Sequence, residues 1–219
     1  MVERWRGIAR QVAPEIPAGL VLAIITRESF GRPGALGRSN DNGLMQVKPA
    51  TVDFYNRWHD RNVDFDRMKD TDHSANTDQI RVGAWYIQHC LRKVHEWNPA
   101  AAPWPLGPLT DYQIRLADLC YARGVGGVAK LRRRAIAAGY PDTFDGLKEF
   151  REKHDPKWGT PGHPFNHAAA VLKMTRNDGT GDRRPPATLP KPSEPFPWGL
   201  LLAGFGVLSG LLSSDDPDQ

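Results

Sequence analysis

The run Ala18-Gly19-Leu20-Val21-Leu22-Ala23-Ile24-Ile25 carries no polar side chain and leads straight into Arg27-Glu28-Ser29. A helix that is apolar on every side must be buried, so the chain has to wrap a core around this segment. Pro17 falls in the first turn of the predicted helix and Gly31 lies just past its end. Val21, Ile24 and Ile25 precede Glu28 by seven, four and three residues and share its face. A carboxyl on an apolar face is costly to ionise, and burial raises its pKa until it holds a proton near neutrality. A general acid needs that property. A salt-bridged or helix-ending glutamate is the plainer alternative, and the residues that follow Glu28 decide between the two.

Helical spacing dominates the rest of the first 180 residues. Ile80, Ala84, Ile87, Leu91 and Val94 mark one helix, with Asn76 and Gln79 read as its N-terminal cap. Tyr112, Leu116, Leu119 and Cys120 mark another, and Leu147, Phe150 and Ala168 to Met174 two more. Alternating β-branched runs are nearly absent, so the expected class is mainly α. The proline-broken stretch Asn98 to Pro108 reads as a loop. Cys90 and Cys120 fall inside apolar helical patterns and read as small buried residues rather than a disulfide.

Fifteen residues after Glu28 comes Gly43-Leu44-Met45-Gln46, preceded by the polar turn Ser39-Asn40-Asp41-Asn42. Asn76 to Ile87 and then Tyr121-Ala122-Arg123-Gly124-Val125-Gly126 follow in order. Together these four segments resemble the soluble lytic transglycosylase (SLT) family, whose fold is lysozyme-like, over about residues 15–175. The resemblance implies cleavage of the β-1,4 bond between N-acetylmuramic acid and N-acetylglucosamine in peptidoglycan, with Glu28 as general acid and then general base. The muramyl 6-hydroxyl attacks the anomeric carbon and leaves a 1,6-anhydromuramyl end. Most glycosidases need two carboxylates, but a transglycosylase can use one because the substrate supplies the nucleophile.

The other site residues follow from the same resemblance. Met45 and Gln46 are expected to line the cleft beside Glu28, although Met45 on its own reads equally as core filling. The Gln46 amide could hold a sugar amide. Ser29 either hydrogen-bonds in the cleft or ends the helix, and Tyr121 either pairs with the Glu28 carboxyl or packs in the core. Asp41 is the one nearby second carboxylate. It would make the enzyme a hydrolytic muramidase if it faced the cleft, but its setting favours a turn residue. Ala122 and Val125 stand where the family has Asn and Pro, which removes an amide donor near the substrate. A catalytically weak module that binds glycan or builds an ejection channel is the alternative this departure favours.

Charge and composition narrow the setting. A formal net charge of +4 suits anionic partners without naming one. The basic run Lys130 to Arg134 lacks interleaved aromatics and reads as a solvated helix face, not a nucleic-acid surface. His59, His73 and His89 have no metal-ligand spacing, and neither metal nor other cofactor is expected. The expected organisation is a catalytic domain over 1–177, a proline-rich linker over 178–197, an apolar helix over 198–212 and an acidic tail over 213–219. Residues 198–212 would span about 22 Å as a helix against a hydrocarbon core of roughly 30 Å. Trp198 at the edge and the Gly206/Gly210 pair nevertheless favour lipid association. Arg183, Arg184 and Lys191 precede the segment, an orientation that would keep the domain cytoplasmic. With no classical export signal, delivery to the periplasmic wall by a phage virion or a secretion apparatus is expected.

Overall fold

A computed structural model describes residues 2–99, 108–154 and 164–178. All lie in the first of the two units into which the chain divides, residues 1–186 and 187–219. The expected helix over 198–212, the linker beyond 178, the tail and most of the loop after Asn98 lie outside the described residues. Among the described residues no helix is long and apolar enough to cross a membrane.

The described residues are mainly helical: α1 (Arg6–Val12), α2 (Ala18–Ser29), α3 (Pro49–His59), α4 (His73–Trp97), α5 (Asp111–Arg123), α6 (Val125–Ala137), α7 (Phe144–His154) and α8 (Pro164–Asn177). Short 3-10 turns at Val2–Trp5 and Phe65–Lys69 supplement them. Extended pairing among the described residues is limited to the isolated bridges Leu36–Asn42 and Asn42–Val47.

The apolar run forms α2, with Leu20, Val21, Ile24 and Ile25 wholly inside the core. Pro17 stands at its N-cap rather than inside the first turn. At the other end Phe30 and Gly31 take φ of 55° and 73°, and their N–H groups return to the carbonyls of Thr26 and Ile25. This left-handed exit stops the helix immediately after Glu28 and Ser29.

Around α2 the packing is arranged so that α8 touches both α2 and α5, while α5 also packs on the long α4. Side chains from α2, α5 and α8 can therefore meet. Cys90 and Cys120 are free and buried, as expected from their apolar surroundings.

The cap of α4 differs from its expected place. The helix starts at His73, and Asp72 accepts a hydrogen bond from the Ala75 N–H at 2.9 Å. Asn76 and Gln79 sit within the first two turns, both buried. Asn76 donates to the Thr71 carbonyl and Gln79 to the Asp70 carbonyl. An amide three residues after a capping residue resembles a capping box in sequence. Here these amides instead anchor the chain leading into the helix.

Candidate active site

The loop from Phe30 to Lys48 carries the Gly43-Leu44-Met45-Gln46 segment over the end of α2. Ser29 ties the two together. Its buried hydroxyl lies 2.8 Å from the Leu44 carbonyl and 3.2 Å from the Ile25 carbonyl. Ser29 is the last residue of α2, in keeping with its helix-ending reading, and its hydroxyl also joins the helix to the loop. Gln79 supports the same loop from α4, accepting the Leu44 N–H at 2.8 Å. Gly43 has φ of 80°, and a Cβ there would fall 2.6 Å from the Gln79 side chain and 2.7 Å from the Met68 carbonyl. Glycine is required at this position on both counts.

Met45 has no exposed surface. It packs against Gly83 of α4, where an added Cβ would come 2.5 Å from its sulfur. The expectation that Met45 lines the cleft is therefore corrected: the side chain fills the groove that Gly83 leaves. Gln46 (φ 48°) directs both amide hydrogens inward, with Nε2 2.9 Å from the carbonyls of Ala35 and Gly43. Its donors hold the loop, so only the amide oxygen remains to meet a ligand. Tyr121, half-buried at the end of α5, donates to the Met45 carbonyl at 2.6 Å. It pairs with the loop backbone rather than with the Glu28 carboxyl. Burial pushes its phenol up, and the charge of Glu28 adds to that rise.

Asp41 accepts the Ser39 N–H at 2.9 Å, and its own carbonyl accepts from Gly37 at 2.7 Å. It is the turn residue that its sequence setting favours. It remains close enough for its charge to raise the pKa of Glu28 slightly. Ala122 is exposed, and Gly124, with φ of 76°, turns the chain from α5 into α6.

Glu28 itself keeps 20% of its side chain exposed. Burial pushes its carboxyl up to about 7; the charge of His167 opposes the rise, Asp118 and Asp41 reinforce it, and Arg27 opposes it. The carboxyl is thus partly accessible, and its raised pKa lets it hold a proton near neutral pH.

His167 and Asp118 are absent from the sequence-derived site. Nε2 of His167 (α8) lies 3.5 Å from Oε1 of Glu28, and Nδ1 lies 2.7 Å from Oδ2 of Asp118 (α5). Asp118 is wholly buried. Burial raises its pKa, and the hydrogen bond and charge of His167 work against that rise. Sequence does hold one signal for this pair. Asp118 stands between the core residues Ala117 and Leu119, and His167 lies one turn from the core residues Pro164 and Val171 and next to Ala168. Ionisable residues at core positions of two helices invite pairing.

His59 of α3 meets Trp85 edge-on at 5.7 Å between ring centroids, and His89 of α4 stacks beside it at 6.2 Å. Burial lowers both pKa values, that of His89 to about 4. Among the described residues no three His, Cys, Asp or Glu side chains come together to hold a metal ion.

A mainly α domain whose central helix ends on a largely buried, partly exposed carboxyl is consistent with a lysozyme-like domain. The family model of the transglycosylase SLT domain matches residues 7–137, more than half of the 219 residues, and the chain belongs to that family. No curated protein matches it.

Proposed function

We propose that this protein is a peptidoglycan lytic transglycosylase that cleaves the MurNAc–GlcNAc β-1,4 bond and leaves 1,6-anhydromuramyl ends. The observation that carries the reading is the Glu28 carboxyl, raised to about 7 by burial and still partly exposed. As the acid it protonates the glycosidic oxygen. As the resulting carboxylate it takes the proton of the muramyl 6-hydroxyl while that oxygen closes on the anomeric carbon. No water and no second carboxylate enter the reaction. The engagement of Asp41 in its turn and the full burial of Asp118 favour this route over a hydrolytic muramidase. Ala122 offers no amide to substrate, and with Val125 it is the departure that favours a weak or purely glycan-binding module.

Muropeptides released from purified peptidoglycan, read by mass spectrometry, test the proposal. Wild type yields anhydro ends, Glu28→Gln yields none, and Asp41→Asn retains most of the activity. Reducing ends from wild type, lost in Asp41→Asn, would establish hydrolysis instead. No release from wild type would leave the binding module.

The setting belongs to the same proposal and rests on sequence. Residues 198–212 associate with a membrane, and a virion or secretion apparatus carries the domain to the wall. Removing residues 198–219 should release the protein from liposomes without lowering its activity. Unchanged flotation would sink the anchor.

A further inference from the structure

Two buried polar atoms beside Glu28 lack a hydrogen-bond partner: Nε2 of His167 and Oδ1 of Asp118. The opposite edges of these groups are joined, Nδ1 to Oδ2, at 2.7 Å. An ionised carboxylate only accepts, so with Asp118 charged the contact places a proton on Nδ1. Nε2 is then the edge of the ring that faces Glu28, and Oε1 of Glu28 stands 3.5 Å from it. That separation suits an ion pair and lies just beyond a hydrogen bond. An imidazole whose Nε2 is buried without a partner is costly, whereas a protonated Nε2 aimed at a carboxyl is not. Three helices converge to make this row: α2 supplies Glu28, α5 supplies Asp118 and α8 supplies His167.

The geometry points to His167 as a positioning residue for the Glu28 acid, anchored by Asp118 and turning Nε2–H toward Oε1 across 3.5 Å, so that Oε2 carries the catalytic proton. This inference rests on the reading of Glu28 as the general acid. Before reaction Glu28 is neutral, and His167 and Asp118 together carry no net charge. Oε2 gives its proton to the glycosidic oxygen, and the negative charge that appears on Glu28 faces the imidazolium. His167 keeps both of its protons. The 6-hydroxyl then returns a proton to Oε2, and the starting state is restored. The imidazolium stabilises a charge that exists only once the proton has moved, which is where an interaction contributes to rate.

The surrounding charges agree with this arrangement. Burial pulls the His167 imidazole down, but the hydrogen bond and charge of Asp118, with the charge of Glu28, raise it above the ordinary value. Arg27 on α2 works against that rise. Around Glu28, the charge of His167 from α8 and that of Arg27 lower its pKa, while Asp118 from α5 and Asp41 from the loop raise it. Tyr121 is held neutral by burial and adds no charge.

The test uses the full chain in three forms: wild type, His167→Gln and Asp118→Asn, each checked for folding by circular dichroism and thermal melting. Carboxyl-carbon NMR follows Glu28, ring-nitrogen NMR follows His167, and muropeptide release gives kcat against pH. In His167→Gln the Glu28 midpoint rises by about one unit, kcat falls about tenfold, and the alkaline limb of the kcat profile moves up with the midpoint. In Asp118→Asn the anchor can still accept from Nδ1 but has lost its charge, so the His167 midpoint falls. If His167→Gln does not fold, Asp118→Asn and the wild-type ring-nitrogen spectrum decide. A His167 midpoint unchanged in Asp118→Asn, or a Glu28 midpoint unchanged in folded His167→Gln, overturns the inference. The NMR shifts are read on the free protein. Shifts as expected in a wild type that releases no muropeptide would therefore support the coupling and overturn the transglycosylase reading.

Discussion

Ser29 stands next to the acid but contributes through the backbone. Its hydroxyl has one hydrogen, and the Leu44 carbonyl at 2.8 Å is the closer of its two acceptors. Ser29→Ala leaves that carbonyl buried and unpaired, a cost of about 1–3 kcal/mol. Activity should fall as the loop loosens over Glu28, and urea denaturation with muropeptide release would measure both effects. Wild-type stability and activity in the variant would show that the bond is dispensable. The same comparison marks how far a sequence can be read at single residues. Glu28 was legible because a carboxyl closing an apolar helix has few comfortable places to go. Asp41 was legible because Ser-Asn-Asp-Asn-Gly is turn chemistry. Met45, Gln46 and Tyr121 were located near the site, but their orientations were not. Whether a side chain points to cleft or core depends on what packs behind it, and Gly83 and the Met45 carbonyl belong to tertiary structure. His167 escaped because its partners stand on two other helices far away in the chain.

At the scale of elements, α4 is the backboard of the site. Gln79 holds the Leu44 N–H, and four residues on, one helical turn along the same face, Gly83 receives Met45. A methyl at Gly83 would meet both the sulfur and the Cβ of Met45, the latter at 2.7 Å. The Cβ is fixed to the backbone and cannot rotate away, so the loop itself must shift. Gly83→Ala should therefore destabilise the protein by about 1–3 kcal/mol, despite the better helix propensity of alanine. It should also reduce kcat by moving the loop off Glu28. A melting temperature at or above that of wild type would show that the loop absorbs the methyl freely. The long helices α2, α4, α5 and α8 were legible from apolar spacing because each buries a continuous stripe. The shorter α1 and α3 were not delimited: each buries only two residues, too few for a period to emerge. The start of α4 was misplaced because Asn76 and Gln79 imitate a cap, while the capping residue Asp72 lies in a run of polar residues with no period.

For the whole molecule, the site sets a pH dependence of stability with a definite sign. Burial pushes Glu28 up to about 7 and raises Asp118, and the charges of Asp118 and Glu28 raise His167 against its burial. All three folded-state pKa values lie above their unfolded values, so the folded protein binds more protons than the unfolded chain. Stability from these groups is then fully present below their unfolded pKa values and is lost as pH rises through the folded ones. For Glu28 the window runs from the ordinary value of 4.5 to about 7. The loss across it is about 3 kcal/mol for a shift of this size. Glu28→Gln isolates the contribution because the amide is close in shape to the protonated acid and does not titrate. At pH 4 the variant and wild type should melt at nearly the same temperature. Above pH 5 the wild type should fall progressively behind, and above about pH 7.5 the gap should stop growing. Chemical denaturation of both proteins at unit steps from pH 4 to pH 9 measures this gap directly. Parallel curves would mean that Glu28 is not held protonated by the fold, and the general-acid reading would lose its physical basis. A widening gap would show that the protein gives up stability at neutral pH to keep a proton on its central carboxyl, as expected where a fold is constrained by a reaction rather than by packing alone.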